Sequence, residues 1–261
     1  MHAAERERLI LLALGDTGFV TYRDLEGPLD ASPATIRRDL SRLGRERRII
    51  RVHGGAKLPD DAPEQAAHRL LGTPFDQSIT LNLAAKQAIG LAAAALCEPG
   101  EGIMVDGGTT TLQMCPHLAG LDCQVLTNSL HIVDALLGQA GTQIFLPSGM
   151  VFREQNIILA AGGEASMPEF HAPKLFMGAA AIGPQGIMQA DVVLVAAERR
   201  LIDRAEQVIL LADSSKFGGS SGAIVCGLDE IDVLVTDSAI APDMAAMIRA
   251  AGVRLILADQ P

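Results

Sequence analysis

The segment SPATIRRDLSRL, residues 32–43, has the pattern of an amphipathic helix that begins at a capping residue. Ser32 can accept a hydrogen bond from one of the first backbone amides, which have no partner inside the helix. Ile36, Leu40 and Leu43 recur at i, i+4 and i+7, a spacing that predicts one buried stripe. The arginines of the segment lie off this stripe, so the sequence predicts an apolar side and a cationic side.

Charge is distributed unevenly along the 261 residues of the chain, whose formal net charge is −10. Residues 1–57 hold 11 Lys and Arg against 8 Asp and Glu, whereas the remainder holds 10 against 23. A basic patch on an acidic protein favours a polyanionic partner for that patch alone. A solvated helix face would explain a single basic helix equally well, so the flanking sequence decides between the two.

The sequence on either side of this helix predicts a helix-turn-helix with a wing. Residues 5–18 predict a first helix that ends at glycines, and residues 22–29 predict a short second helix followed by a turn. Residues 47–58, RRIIRVHGGAKL, predict a small hairpin with Ile49 among its strand residues and Gly54-Gly55 at its turn. We therefore predict a winged helix-turn-helix domain over residues 1–57.

A third helix of this kind can lie in the major groove of DNA. Arg37 and Arg38 could then pair with guanine O6 and N7. Arg42 and Arg51 would contact the phosphates and position the domain. A winged helix used only for protein contacts is disfavoured by the eight basic side chains in residues 33–57. The predicted DNA-binding residues are Thr21, Tyr22, Ser32, Thr35, Arg37, Arg38, Arg42, Arg51 and His53.

The rest of the chain predicts an α/β fold. Residues 58–74 predict a linker, and residues 75–261 alternate apolar strands with helical stretches. This alternation predicts a mostly parallel sheet that is covered on both faces. Residues 150–172 are the exception, because they predict an irregular stretch. The other predicted elements include helices over residues 75–100, 112–120 and 191–207 and a single strand over residues 174–183.

Small and hydroxylic residues recur where the predicted strands end. The motifs DGGTTT (106–111) and TNS (127–129) are the clearest, although an ordinary βα turn explains either of them taken singly. Ligands of open α/β sheets bind beyond the carboxyl ends of the strands, and such turns can hold a phosphate. Neither motif is a P-loop or GxGxxG, which disfavours a nucleotide. The predicted effector-binding residues are Asp106, Gly107, Gly108, Thr109, Thr110, Thr111, Thr127, Asn128, Ser129, Gly149, Gly178, Asp191, Glu198 and Lys216.

Both halves resemble one protein family. SPATIRRDL (32–40) and RVHGGA (51–56) are similar to the DNA-binding signature of DeoR-type bacterial repressors. DGGTT (106–110), LTNSL (126–130) and DSSKF (213–217) are similar to the sensor domain of that family. The resemblance covers almost the whole chain. It implies a sensor domain that is related to ribose-5-phosphate isomerase and glucosamine-6-phosphate deaminase and that senses phosphorylated sugars. Lys86 also matches the family, while Ser78 stands where an Arg is frequent.

These observations predict a DNA-binding transcriptional regulator, a repressor of a sugar catabolism operon, whose binding to operator DNA is modulated by a phosphorylated sugar. A homo-oligomer, a dimer or higher, is expected because helix-turn-helix proteins read paired half-sites. The alternative is a sugar-phosphate isomerase or deaminase with a fused DNA-binding domain, and suitable chemistry is offered by Asp106, Asp191, Glu198 and Lys216. The basic N-terminal unit has no use in such an enzyme, so we expect no catalytic residues.

Composition limits the remaining possibilities. No apolar run approaches the ~20 residues that a membrane span needs, and the first residues lack a signal-peptide pattern, so a cytoplasmic protein without a membrane partner is expected. The four cysteines are scattered and form no CxxC pair. They predict reduced thiols rather than a metal site, and we expect neither a metal nor a cofactor.

Overall fold

A computed structural model of the chain describes residues 6–7, 9–10, 14, 19–21, 25, 29, 31–45, 49–52, 55–57, 75–153, 155–160, 166–170, 172–219 and 222–258. The chain divides into two compact units, Met1–Leu71 and Gly72–Pro261. The predicted linker, residues 58–74, lies outside the described residues, as do Tyr22 and His53. Among the described residues, no helix combines the length and the apolar character that crossing a membrane requires.

The N-terminal unit contains the helix that the sequence predicts. Helix α1 (Pro33–Arg45) follows Ser32, whose Oγ accepts a hydrogen bond from the Thr35 amide at 3.3 Å. The three apolar residues of its stripe are fully buried, so the predicted amphipathic pattern is confirmed. They pack against helical residues that precede α1, and the buried core of the unit consists of Ile10, Leu14, Val20, Leu25, Leu29, Ile36, Leu40, Leu43, Ile49 and Ala56.

A three-stranded antiparallel sheet supplies the wing. It contains β1 (Phe19–Thr21), β2 (Ile50–Val52) and β3 (Gly55–Lys57) in the order β1-β3-β2. Strands β2 and β3 pair from Ile50 with Lys57 to Val52 with Gly55, which makes the predicted hairpin. Gly55 therefore lies in a strand and not in the turn. Ile49 lies before β2, and its side chain is buried in the core of the unit.

The C-terminal unit is built on a parallel sheet of seven strands. Its strands are β4 (Gly102–Val105), β5 (Gln124–Thr127), β6 (Gln143–Phe145), β9 (Ala172–Met177), β12 (Ala205–Leu211), β14 (Val233–Asp237) and β15 (Arg254–Ala258). The spatial order is β15-β14-β12-β9-β4-β5-β6, and every neighbouring pair is parallel. The predicted parallel α/β architecture is thus confirmed.

Both faces of this sheet are buried. Side chains alternate between the faces along a strand, so Ile103 and Val105 belong to one apolar cluster while Met104 belongs to the other. Phe176 and Leu175 divide in the same way. The bounded helices of this unit are α2 (Phe75–Ser78), α3 (Leu83–Ala94), α4 (Leu130–Leu136), α5 (Val192–Ile202) and α6 (Pro242–Ala250), with 3-10 helices at Thr111–His117, Ser214–Lys216 and Leu228–Glu230.

Two predicted helices are shorter than expected. The helix predicted over 75–100 is divided into α2 and α3, because Asn82 adopts a left-handed conformation with φ of 52°. The α-helix predicted over 112–120 is a 3-10 helix, Thr111–His117, which contains Pro116. A proline has no N–H to donate, so it opposes a continuing α-helix there.

Three further predictions about secondary structure were wrong. The stretch 150–172 contains the hairpin β7 (Gly149–Phe152) and β8 (Ile157–Ala160), whose turn includes a left-handed Asn156 instead of the usual glycine. The strand predicted over 174–183 is interrupted, so that β10 (Ala181–Gly183) forms a separate antiparallel sheet with β11 (Gly186–Gln189) and β13 (Ala223–Cys226). The helix predicted over 191–207 ends at Ile202, because the residues after Arg204 begin the buried strand β12.

Candidate functional site

The exposed side of α1 carries the residues predicted to read DNA. Arg37 and Arg38 are exposed, and the opposite side of the helix is buried. Thr35 is half-buried, and its hydroxyl lies 2.9 Å from the Ser32 hydroxyl at the start of the helix. Arg51 lies in β2 of the wing. The helix and the wing thus each carry arginines from the predicted set.

Two ion pairs fix α1 to the helical residues near the N-terminus. Arg6 Nε donates to Asp39 Oδ2 at 2.7 Å, and both side chains are nearly buried. The Arg42 guanidinium donates to Glu7 Oε2, also at 2.7 Å. Arg42 was expected to contact phosphates, but here its guanidinium contacts a carboxylate. The sequence analysis did not select Asp39. An acidic residue beside an apolar stripe is nevertheless a signal, because a buried carboxylate needs a partner of opposite charge.

The sensor sheet has one position at which its strand order reverses. The chain runs from β4 outward through β5 and β6 on one side, and from β9 outward through β12, β14 and β15 on the other. In open α/β sheets, ligands bind beyond the carboxyl ends of the strands at such a switch point. Asp106 follows β4 and its amide donates to the Phe176 carbonyl of β9 at 2.9 Å, while Gly178 follows β9. The switch point therefore lies between Asp106 and Gly178.

Asp106 is held in place by the neighbouring strand end. Asn128 Nδ2 donates to Asp106 Oδ1 at 2.8 Å, and the Gly107 amide donates to Asn128 Oδ1 at 3.0 Å. A Cβ at Gly107 would lie 2.7 Å from Ile157 Cγ2, so a side chain would not fit there. Burial raises the pKa of Asp106 to about 6, although the hydrogen bonds from Asn128 and Gly107 lower it.

Glu198 reaches the same place from helix α5. Its side chain is buried, and Gln189 Nε2 donates to its Oε1 atom. Burial, and then the neighbouring Asp106, raise the pKa of Glu198 well above its usual value. Its Oε2 atom is buried and has no hydrogen-bond partner within the described residues.

Cationic and hydroxylic groups gather between helix α3 and the loop after β4. Lys86 on α3 is only 1% exposed, and its ammonium donates to the Ser78 carbonyl at 2.6 Å. The Ser78 hydroxyl lies 3.5 Å from the Thr109 hydroxyl in the loop after β4. Burial lowers the pKa of Lys86, Asp213 raises it, and Lys216 lowers it further. Two lysines therefore lie close to one aspartate.

Asp213 organises the end of β12. Its Oδ1 atom accepts hydrogen bonds from Asn82 Nδ2 at 2.9 Å and from both the amide and the hydroxyl of Ser215. Lys216, in the same 3-10 helix as Ser215, is half-buried. We define the cationic group as Ser78, Lys86, Thr109 and Lys216. It was only partly predicted, because Ser78 and Lys86 were not assigned to the site. The sequence did contain a signal for Lys86, because a lysine among the buried positions of an Ala-rich helix indicates a functional side chain.

Several predicted effector-binding residues instead support the backbone. The Thr111 hydroxyl donates to the carbonyls of Asp106 and Gly108, and Thr127 Oγ1 accepts from the Ser129 amide. The remaining supports are Ser129, which caps α4, Asp191, which caps α5, and Gly149, which pairs with Ala160 in the hairpin. Their contact with an effector stays a prediction, as it does for Thr110, which is buried.

An open recess adjoins Asn128 on one face of the sheet. The hairpin that the sequence missed helps to form it, since the Ile158 amide donates to the Asn128 carbonyl at 2.7 Å. The recess is mostly apolar and is lined by Leu126, Thr127, Asn128, Pro147, Ile158, Ala160, Met167, Ala197, Arg200 and Leu201. In the described part of the chain, no group of His, Cys, Asp and Glu side chains is arranged to hold a metal ion.

Known proteins match this arrangement over the whole chain. The family described as "DeoR C terminal sensor domain" matches residues 81–238, and the "DeoR-like helix-turn-helix domain" matches residues 6–62. The HTH-type transcriptional repressor GlcR of Bacillus subtilis (strain 168) is 31% identical over 260 residues, 100% of this chain and 98% of that protein. The HTH-type transcriptional regulator UlaR of Shigella flexneri serotype 5b (strain 8401) is 29% identical over 98% of this chain and 99% of its own length.

Among solved structures, ribose 5-phosphate isomerase A of Methanocaldococcus jannaschii matches with a TM-score of 0.38 and 13% identity, over 54% of this chain and 55% of that one. The full-length relatives are regulators that bear a helix-turn-helix, and both domains found here match the same family. The resemblance noted in the sequence is thereby confirmed. The chain belongs to the DeoR family, and it is a DNA-binding transcriptional regulator and not an enzyme.

Proposed function

We propose that the protein represses a sugar catabolism operon and that a phosphorylated sugar, bound at the switch point of the sensor sheet, modulates its binding to operator DNA. The observation that carries this proposal is the cationic group beside the end of β4. Lys86 contacts Ser78 at 2.6 Å, and Ser78 faces Thr109 at 3.5 Å. Lys216 lies close enough to Lys86 to lower its pKa.

The cationic group suits a phosphate in charge and in hydrogen bonding. A phosphate dianion accepts hydrogen bonds from ammonium and hydroxyl groups, and charge-assisted bonds of this kind are the stronger ones. A buried lysine that is stripped of water costs free energy unless an anion neutralises it. Asp213 supplies one negative charge for two lysines. A bound phosphate would supply the rest, and Thr109 and Thr110 belong to the loop that would contact it.

The carboxyl groups of Asp106 and Glu198, with Asn128, suit the other end of the ligand. A sugar presents hydroxyl groups that donate and accept hydrogen bonds, and buried carboxyl and amide groups match both roles. Asn128 Nδ2 donates to Asp106 Oδ1 at 2.8 Å, so each side chain fixes the orientation of the other. Such preorganisation reduces the entropy that is lost on binding. The residues assigned to hydroxyl groups in this proposal are Asp106 and Asn128, with Glu198 beside them.

For DNA, the proposal assigns Arg37 and Arg38 to base edges and Arg51 to phosphates. The exposed face of α1 supports this assignment, since those two arginines project away from the buried stripe. A homo-oligomer, a dimer or higher, belongs to the same proposal, because paired half-sites require paired recognition helices. So does a cytoplasmic location, where operator DNA and sugar phosphates meet in bacteria.

The test uses the full-length protein and an operator selected from random DNA. The affinity for that operator is measured by fluorescence anisotropy with and without a panel of pentose and hexose phosphates. Each unphosphorylated sugar serves as the matched control. We expect at least one phosphorylated sugar to change operator affinity while its free sugar does not. The proposal is wrong if no phosphorylated sugar changes the affinity, or if the free sugars act equally well.

A further inference from the structure

The exposed side of helix α3 carries no charge. The structure describes all of residues 83–95, and within them the only charged side chain is Lys86, which is buried. The side chains of Leu83 and Leu91 are 39% and 53% exposed. A helix that is apolar on every side is ordinarily buried, so this one is typical of a helix that a further surface covers. We define the uncharged face of α3 as its exposed residues, Leu83, Ala84, Gln87, Leu91 and Ala95.

The opposite side of α3 is packed inside the sensor unit. Ile89 is fully buried in the apolar cluster on one face of the parallel sheet. A Cβ at Gly90 would lie 2.5 Å from the Gln113 backbone, so the 3-10 helix Thr111–His117 lies directly against α3. The uncharged face is therefore a second surface of α3, and the described part of the sensor unit leaves it exposed.

The uncharged face is symmetrical about Gln87. Leu83, Gln87 and Leu91 follow one another at intervals of four residues, so they form one ridge along the helix with a leucine on either side of the amide. When two such helices cross antiparallel about a two-fold axis at Gln87, Leu83 of each copy lies against Leu91 of the other. The two Gln87 side chains then meet on the axis. A carboxamide both donates and accepts, so each amide satisfies the other.

Symmetry and charge both favour a second copy of this chain as the occupant of this face. A two-fold interface must be complementary to itself, and the Leu-Gln-Leu ridge meets that condition. Residues 58–261 hold 10 Lys and Arg against 23 Asp and Glu, so two copies of the sensor unit repel each other wherever their carboxylates meet. The uncharged face brings no carboxylate into the contact, and it therefore allows two acidic units to associate.

We propose that the uncharged face of α3 is the centre of a two-fold interface between two copies of the chain. This inference rests on the homo-oligomer of the proposed function and deepens it by naming the surface. The 12 residues of α3 make a ridge about 18 Å long, which suits the apolar core of an interface. The exposed Pro116 and His117 of the adjoining 3-10 helix extend the surface as its rim. The buried pair of Gln87 amides fixes the register of the two helices.

The first test measures the mass of the full-length protein by sedimentation velocity over a range of concentrations. Leu91→Glu places an unpaired carboxylate on each side of the contact, and charges left without a partner in an interface weaken it strongly. We expect the dissociation constant of the contact to rise by at least about 100-fold. The mass of the variant should be half that of the associated, unaltered protein. Leu137→Glu, at a leucine that is 70% exposed after α4, is the matched control and should stay within about threefold.

The second test locates the two-fold axis. In Gln87→Cys the two introduced thiols face each other across the axis, and packed helices bring the Cα atoms of such residues into the range of a disulfide. Mild oxidation should therefore join two chains, and non-reducing electrophoresis detects the product at twice the mass of one chain. Leu137→Cys is the matched control and should remain a single chain. This test decides the matter alone if Leu91→Glu does not fold.

The inference is overturned if a folded Leu91→Glu keeps the mass of the unaltered protein, because another occupant then covers the face. It is also overturned if Gln87→Cys gives no more joined chains than Leu137→Cys does. A monomeric unaltered protein overturns the inference together with the homo-oligomer of the proposed function. An oligomer that the α3 variants leave intact overturns the inference alone. Control of operator binding by a phosphorylated sugar is decided separately, since the operator titrations of the unaltered protein measure it.

Discussion

Arg6 Nε and Asp39 Oδ2 lie 2.7 Å apart, although their residues are 33 positions apart in the sequence. The contact joins a residue at the start of the chain to the middle of α1. Because both side chains are nearly buried, the ion pair holds the angle at which α1 presents its arginines. The orientation of the surface that we propose reads DNA therefore depends on a residue that itself faces inward.

Removing the Asp39 carboxylate should destabilise the N-terminal unit. Asp39→Ala leaves the charged Arg6 guanidinium without this partner, and a hydrogen bond to a charged group contributes about 1.5–3 kcal/mol. We expect the free energy of unfolding of this unit, measured in urea, to fall by that amount. Arg38→Ala, an exposed change on the same helix, should leave it within about 0.5 kcal/mol. Equal free energies of unfolding for the two variants would show that the ion pair does not stabilise the unit.

Arg37→Ala and Arg38→Ala should each weaken operator binding. A side chain that pairs with a base edge contributes about 1–3 kcal/mol of discrimination, so at least one variant should also lose preference for the operator over random DNA. Arg249→Ala, which removes an exposed arginine from α6, is the matched control. Operator affinities equal to that of the control would contradict the assignment of α1 as the recognition helix.

Arg51→Ala should act on all DNA sequences alike. An arginine on the wing that contacts a phosphate releases one counterion on binding. The slope of log K against log salt should therefore fall in magnitude by about 1, while the ratio of operator to random affinity stays constant. Titrations at four salt concentrations measure both quantities. A change of that ratio at constant slope would mean that Arg51 reads bases instead.

The buried Glu198 carboxyl should make stability depend on pH. Burial raises the pKa of Glu198 well above its usual value. A group with a raised pKa in the folded state contributes stability that is present below its unfolded-state pKa and is lost as the pH rises through its folded-state pKa. The unfolding temperature of the unaltered protein should therefore fall relative to that of Glu198→Gln as the pH rises above about 4.3, the ordinary pKa of a glutamate. Scanning calorimetry measures this difference, and curves that stay parallel would show that the pKa of Glu198 is not raised by burial.

The elements that the sequence predicts best are those with a local pattern. The buried stripe of α1 follows from the i, i+4 spacing of its apolar residues, and the structure contains it. The cap follows from the Ser32 hydroxyl, which the structure also contains. The buried strands β4 and β5 follow from short apolar runs that end in DGG and TNS. The positions of Asp106 and Asn128 at neighbouring strand ends were accordingly within reach of sequence reasoning.

Contacts between separate segments of the chain could not be predicted from the sequence. Lys86 meets Ser78 only because the chain turns at Asn82, a left-handed residue that is not a glycine. Glu198 was selected from a helix, but nothing local indicates that it accepts a hydrogen bond from Gln189, which lies on another element. The hairpin after Gly149 was missed because its turn has none of the glycine-containing signals that mark most tight turns.

The central claim is that a phosphorylated sugar bound at the cationic group controls operator binding. Lys216→Ala removes one cation of that group, so effector affinity should fall by about tenfold or more, while operator affinity without effector stays unchanged. An effector shifts an equilibrium only through its different affinities for the two states. More effector is therefore needed to produce the same change in DNA binding.

The most direct measurement titrates the phosphorylated sugar found in the screen into preformed protein–operator complex and compares the midpoints for the unaltered protein, Lys216→Ala and the control Arg249→Ala. We predict a midpoint for Lys216→Ala that is at least about tenfold higher than the other two, with a full response at saturation. Coincident midpoints with full responses in all three proteins would contradict the account.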